Sequence, residues 1–138
     1  MTRHTAQSFA GAYRQVGVET GVGAASPHQL VTMLFEGFTD AIVQARAAMQ
    51  ERRIEAKCKA ITRAVRIVDE GLKASLDSKG GGALADNLSG LYAYLALRLT
   101  HANLHNDAAA LDECQALIAP VRAAWAAIAP AAPVAEIQ

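Results

Sequence analysis

The sequence lacks a surplus of charge of either sign: thirteen Lys and Arg residues balance thirteen Asp and Glu residues in a chain of 138. Its summed field gives no reason to expect DNA, RNA or an anionic membrane as partner, and favours an apolar one. Cysteine is scarce. Cys58 and Cys114 lie inside helical patterns without CxxC or Cys/His spacing, which suits reduced, buried thiols in a cytosolic protein. No apolar run approaches the ~18 residues of a membrane span, and the start "MTRHTAQSFAGAYRQ" has no continuous apolar stretch of the signal-peptide kind. The expectation is a cytoplasmic protein with no nucleic-acid partner and no membrane insertion.

Arrangements that carry chemistry are also wanting. The most plausible enzyme on a helical bundle, a di-iron carboxylate protein, would need two Glu-x-x-His pairs and further inward carboxylates, and no Glu-x-x-His pair is present. Glu36 and Asp40 are neighbours on one polar helix face and read as solvated. His101 and His105, four residues apart, have the spacing to share a metal ion, yet no third ligand is evident, so they read as surface residues. His28 reads as a surface residue beside a helix start. The glycine run 80–82 follows no strand and precedes no GK[ST], which argues against a phosphate loop. No catalytic, metal-binding or cofactor-binding residue is assigned, and the chain is read as non-enzymatic. A histidine phosphotransfer bundle stays as an alternative, with His101 in "RLTHANLH" as its candidate; Arg98 is one turn away and Ala102 is small, but no lysine is near.

What the chain does have is 52% hydrophobic residues, enough for one domain with a core. Ser26, Pro27 and Gln29 form an S-x-x-Q helix start with proline at the first turn. Val31, Leu34, Phe35, Phe38, Ile42, Ala45 and Met49 follow at three- and four-residue steps. "QERRIEA" breaks that pattern. A second helix carries Ile54, Cys58, Ile61, Val65, Val68, Leu72 and Leu76 and stops at "SLDSKGGGA", where glycines disfavour a helix interior. A third runs from about Ala83 to Leu104 with Leu84, Leu88, Leu91, Leu95, Leu99 and Ala102 on one face. Asn106 or Asp107 can cap a fourth, striped by Leu111, Cys114, Ile118, Val121, Trp125 and Ile128, with a kink expected at Pro120. Short links make consecutive helices antiparallel neighbours. The predicted fold is all-α, an up-down-up-down four-helix bundle over 26–129, with a mobile N-terminal segment over 1–25 and a disordered tail, "PAAPVAEIQ", over 130–138.

The stripes do not use up the apolar side chains. The first helix adds Leu30 and Met33; the second carries Ile67 among Ala56, Ala60, Gly71 and Ala74; the third carries Tyr94, Leu97 and Leu104 with Gly90 and Ala93 opposite its leucines. A single exposed leucine needs no explanation, but a contiguous apolar patch marks an interaction surface, and smooth faces on adjacent helices make a groove for a partner helix. Homodimerisation in the free state and a terminus folding back are the other ways to cover it. In the leader, Phe9, Tyr13 and Val16 fall at i, i+4 and i+7, one apolar edge of a short helix that Gly11 and Gly17 keep from standing alone.

The segments "AYRQVGVET", "ASPHQLVTMLFEG", "AITRAVRIVDEGLKASLD", "GGGALADNLSGLYAYL", "LTHANLHNDAAALDE" and "AAW", in this order and spacing over roughly 12–129, resemble the flagellin-specific export chaperones of the flagellar type III secretion system, the FliS family. The resemblance implies a small cytosolic helical bundle that binds the C-terminal region of flagellin, prevents premature polymerisation, and presents its client to the cytoplasmic domain of the export gate. It further implies that the tyrosine of an N-terminal A-Y-x-x-V pattern, here Tyr13 followed by Val16, packs over part of the client surface in the free chaperone. Where the family often has a larger aliphatic residue this chain has Ala10, and Phe9 offers the missing volume. Whether an anti-sigma factor is a further partner is left undecided by the sequence.

Overall fold

The computed structural model describes residue 9 and residues 11–13, 26–77 and 79–128. Four α-helices and no strand occur among the described residues: α1, Pro27–Gln50; α2, Ile54–Arg66; α3, Gly82–His105; and α4, Ala108–Ala127. Ser26 caps α1 as its sequence requires. The serine hydroxyl accepts from Gln29 N–H at 3.0 Å and the Gln29 side chain accepts from Ser26 N–H at 3.0 Å, so two donors that the first turn would leave unmatched are satisfied.

The break at "QERRIEA" is a hydrogen-bonded stop. Arg53 N–H reaches Ala48 O at 2.9 Å and Arg52 N–H reaches Met49 O at 3.2 Å, the paired bonds of a Schellman turn. Arg52 has φ 59°, in the left-handed region where glycine is the usual occupant. At the far end of α3 Asn106 adopts φ 49°, and Asp107 caps α4 by accepting from Ala110 N–H at 3.3 Å. α4 continues through Pro120 as one helix, with that proline exposed.

After α2 the chain winds on as a π-helical segment, Ile67–Lys73, and Ala74 N–H donates to Asp69 O at 3.1 Å. The periodicity had this stretch as ordinary α-helix. Val68 and Leu72 of this segment are both fully buried.

The core is built from Val31, Phe35, Phe38 and Ile42 of α1, Ile61 and Val68 from α2 and its continuation, Leu95 and Leu99 of α3, and Leu111 and Ile118 of α4. Residue numbers rise along α1 as they fall along α2 and its π continuation: Leu34 lies against Gly71, and Gly37 against Ile67 and Arg63. The buried face of α2 is rotated from the expected one. Ile54 is 68% exposed, while Ala60, Ala64 and Lys57 are buried. Small alanines let neighbouring helices approach closely, and Lys57 is accommodated because its ammonium donates to Asn103 O at 3.0 Å and to Asn106 Oδ1 at 2.6 Å, at the negative end of α3.

Candidate functional site

Three surfaces carry the residues singled out by the sequence. The first is an aromatic seat at the end of the bundle where α1 begins and α4 ends. Trp125 packs edge-on against Phe9 and Tyr13, with ring centroids 5.0 and 5.4 Å apart. On its other side His28 stacks on the indole at 4.9 Å. The indole N–H donates to His28 O at 3.2 Å, and His28 Nε2 lies 3.0 Å from Trp125 O. Expected as a surface residue, His28 is therefore a half-buried part of the seat: the turn that starts α1 meets the last turn of α4, a tertiary juxtaposition with no local signal.

Tyr13 passes beyond the tryptophan, and its hydroxyl meets that of Tyr92 at 2.5 Å, fully buried. Burial, and for Tyr13 the facing Tyr92 hydroxyl as well, push the titration of both phenols far above the ordinary tyrosine value. Tyr92 was absent from the expected core, although the series Ala85, Leu88, Tyr92, Leu95, Leu99, Ala102 has unbroken three- and four-residue steps. Preference for leucines at Leu84 and Leu91, which are only partly buried, hid it.

The backbone of this N-terminal segment is held by the link between the π segment and α3. Asp77 N–H donates to Ala12 O at 2.6 Å. The buried Asp77 carboxylate accepts from Lys79 N–H at 3.1 Å and Gly80 N–H at 2.9 Å, fixing the turn. At Gly81 a Cβ would stand 2.6 Å from Ala85 Cβ, 2.8 Å from Asp77 O and 2.9 Å from Ala12 Cα, so glycine suits both the turn into α3 and the close approach of the segment. Two aromatic rings bury roughly 150–250 Å² each, about 8–12 kcal/mol together at ~25 cal/mol per Å². Ordering a five-residue stretch costs about 5–10 kcal/mol in backbone entropy. Val16, Ala10 and the tail 130–138 lie outside the described residues.

The second surface is an open groove of about 1180 Å³ between α1 and α2. Leu34, Ala47, Ala56, Ala60, Ile67 and Gly71 give it an apolar floor, and charged side chains of α2 and its continuation edge it. Of the small residues that the helical wheel grouped with Ile67, Ala56, Ala60 and Gly71 line this groove and Ala74 does not. Between the π segment and α3 there is a smaller depression of about 310 Å³, bordered by Ala74, Leu76 and Ala85.

The third is the outer face of α3. Leu97 is 66% and Leu104 74% exposed, and Gly90 and Ala93 are open to solvent beside them. Tyr94 leans towards α4. Its hydroxyl donates to Glu113 Oε2 at 2.5 Å, and Arg98 Nε donates to Glu113 Oε1 at 2.7 Å; these two bonds hold the Glu113 carboxyl below its usual range. On α1, Met33 is 61% exposed whereas Leu30 packs against the core. Phe9 and Tyr13 are brought together; Ile67 lies in a groove apart from them, and Leu97 and Leu104 on a face of their own.

Neither thiol is paired. Cys58 is half-buried with Sγ 3.4 Å from Asn103 Oδ1, and burial pushes the Cys114 thiol up to about 12. His101 Nε2 lies 3.2 Å from Asp107 Oδ2, and the ring packs against His105 at 4.5 Å. A carboxylate at that nitrogen disfavours a phosphoryl group there. No three potential metal ligands converge among the described residues.

The sequence profile of the family described as flagellar protein FliS matches residues 9–132. The chain is 48% identical over 121 residues to the flagellar secretion chaperone FliS of Salmonella typhimurium strain LT2, covering 88% of this chain and 90% of that protein. It is 43% identical over 114 residues to the protein of the same name from Escherichia coli strain K12, with 83% and 84% covered. At 31% identity over 114 residues it also matches the flagellar secretion chaperone FliS of Bacillus subtilis strain 168, with 83% and 80% covered.

Proposed function

This chain belongs to the FliS family, and on that premise we propose that it is a flagellar export chaperone, which binds the C-terminal region of flagellin in the cytosol. There it prevents premature polymerisation and delivers the client to the cytoplasmic domain of the export gate. The relatives' shared name is that of a chaperone, a non-enzymatic role. The observation that carries the reading is the open apolar groove between α1 and α2, with Ile67 on its floor. A client segment that is apolar on one face and unfolded before assembly would bury that face here, as helix-in-groove complexes do.

In this reading Ile67, Leu30 and Met33, together with Tyr94, Leu97 and Leu104 on α3, are client contacts. Phe9, Tyr13 and Val16 belong to a segment that covers part of the client surface until the client arrives. Ordering the client offsets part of the hydrophobic gain, which keeps a large complex releasable. No helix of the described residues is long and apolar enough to cross a membrane.

The test is calorimetric titration with a peptide from the last ~40 residues of the cognate flagellin, a length suited to wrapping helices of this size. Saturable one-to-one binding with a negative heat-capacity change is expected. Leu97→Glu should weaken it with helical content unchanged, since that side chain is mostly exposed. Absence of heat at several temperatures together with absence of co-elution would sink the proposal. Light scattering that shows a dimer dissociating on dilution would instead give the groove to a second copy.

A further inference from the structure

The charges around the α1–α2 groove are not evenly matched. Arg53 pairs with Glu51 at 3.4 Å and Arg66 with Glu70 at 3.5 Å, but no ion pair among the described residues engages Lys59 or Arg63. Both line the groove and both are exposed. They stand four residues apart on α2, one turn, so the two cationic side chains leave the helix from backbone positions about 6 Å apart, and the Arg63 guanidinium reaches across towards Gly37 of α1. The floor beneath them is made of small residues, Ala56 and Ala60 from α2 and Ala47 from α1. Such a floor leaves room for a partner's large side chains.

The groove extends along α1 from Leu34 to Glu51, about 25 Å at the 1.5 Å rise per residue, the length of a helix of roughly 17 residues. Resting on the chaperone reading, we infer that this groove seats an amphipathic helix of the client that carries two carboxylates one turn apart, which pair with Lys59 and Arg63. The helix lays large apolar side chains over the alanine floor. Its carboxylates fix register and direction along the groove, the role that charged rims play in helix recognition. A helix with lysines at those two positions fits the floor equally well but meets like charge, so the rim selects among apolar helices.

The experiment compares wild type with the Lys59→Glu/Arg63→Glu protein, titrated with the C-terminal flagellin peptide at 0.05 and 0.5 M salt. Both residues are exposed, so the thermal melt should be unchanged and serves as the folding control. Each reversal should weaken binding about three- to tenfold, the range for exposed pairs turned repulsive. The double change should weaken it about ten- to a hundredfold, and added salt should close the gap. A peptide whose acidic pair is replaced by lysines should bind the double variant more tightly than it binds wild type. If wild type binds the peptide and the double variant binds it equally at both salts, the inference is wrong while the chaperone reading stands. If wild type does not bind at either salt, the reading itself fails.

Discussion

Tyr13→Phe is expected to destabilise the protein, although it removes only an oxygen. The two phenolic hydroxyls are 2.5 Å apart and both rings are fully buried. With Tyr13 changed, the Tyr92 hydroxyl is left in an apolar seat without its partner, at a cost of about 1–3 kcal/mol; Tyr92→Phe does the same to Tyr13. Removing both oxygens leaves two apolar rings of nearly native shape, which is close to neutral. The double-mutant cycle should therefore be strongly non-additive, with a coupling energy of about 1–3 kcal/mol. Urea unfolding measures each corner, and an unchanged m-value shows that the folded state keeps its compactness. The sole tryptophan, Trp125, sits against the Tyr13 ring, so its emission reports separately whether the segment has left its seat. If both single variants lie within about 0.3 kcal/mol of wild type, or if their effects simply add, the hydroxyl pair does not hold the segment.

Gly81→Ala should disturb the start of α3 and the segment packed on it, because the new methyl group would stand 2.6 Å from Ala85 Cβ, 2.8 Å from Asp77 O and 2.9 Å from Ala12 Cα; a loss of about 1–3 kcal/mol is expected, with a red-shifted Trp125 emission if the segment yields, and an unchanged urea midpoint would show that the backbone accommodates the methyl group. Arg52→Gly should stabilise by about 1 kcal/mol, since φ 59° strains an L side chain and not glycine; a lower urea midpoint would contradict this. In alkali the protein should lose stability. Folded Cys114 and the Tyr13–Tyr92 pair titrate above their unfolded values near 9 and 10. The unfolded chain therefore releases protons that the folded one retains. Their contribution is complete below pH 9, declines from there as the unfolded thiol ionises, and is lost faster above pH 10, by roughly 1.4 kcal/mol per pH unit for each group. The Tyr13→Phe/Tyr92→Phe protein should show a shallower decline above pH 10.

The seat of Tyr13 bears on how a chaperone of this kind would hold and release its client. Among the described residues the segment is held by the Phe9 and Tyr13 rings, the buried Ala12, the Tyr13–Tyr92 hydroxyl pair and the bond from Asp77 N–H to Ala12 O. A perturbation there should change the occupancy of the seat before it changes the helices, which is why emission and urea midpoint need to be read together.

Periodicity and punctuation alone placed four helices, because caps and apolar stripes are local properties. Ser26 and Gln29 specify a start whatever follows; the glycines mark only the link, since the helical run ends at Lys73 and Gly82 opens α3. The same reasoning found that Ile67 has small neighbours on its own helix face, a property of one helix. It did not find that Lys57 is buried, that His28 stacks on Trp125, that Tyr92 meets Tyr13, or that the segment Ile67–Lys73 is π-helical. Each depends on residues brought together across the bundle: Lys57 is buried because the end of α3 supplies two acceptors, and His28 because α4 ends beside it. Where the large groove opens was likewise decided only in three dimensions. A helix wheel gives the direction of each apolar face but not the distance between two helices, and that distance is set by whichever small residues, here Ala56, Ala60 and Gly71, the fold turns towards its neighbour.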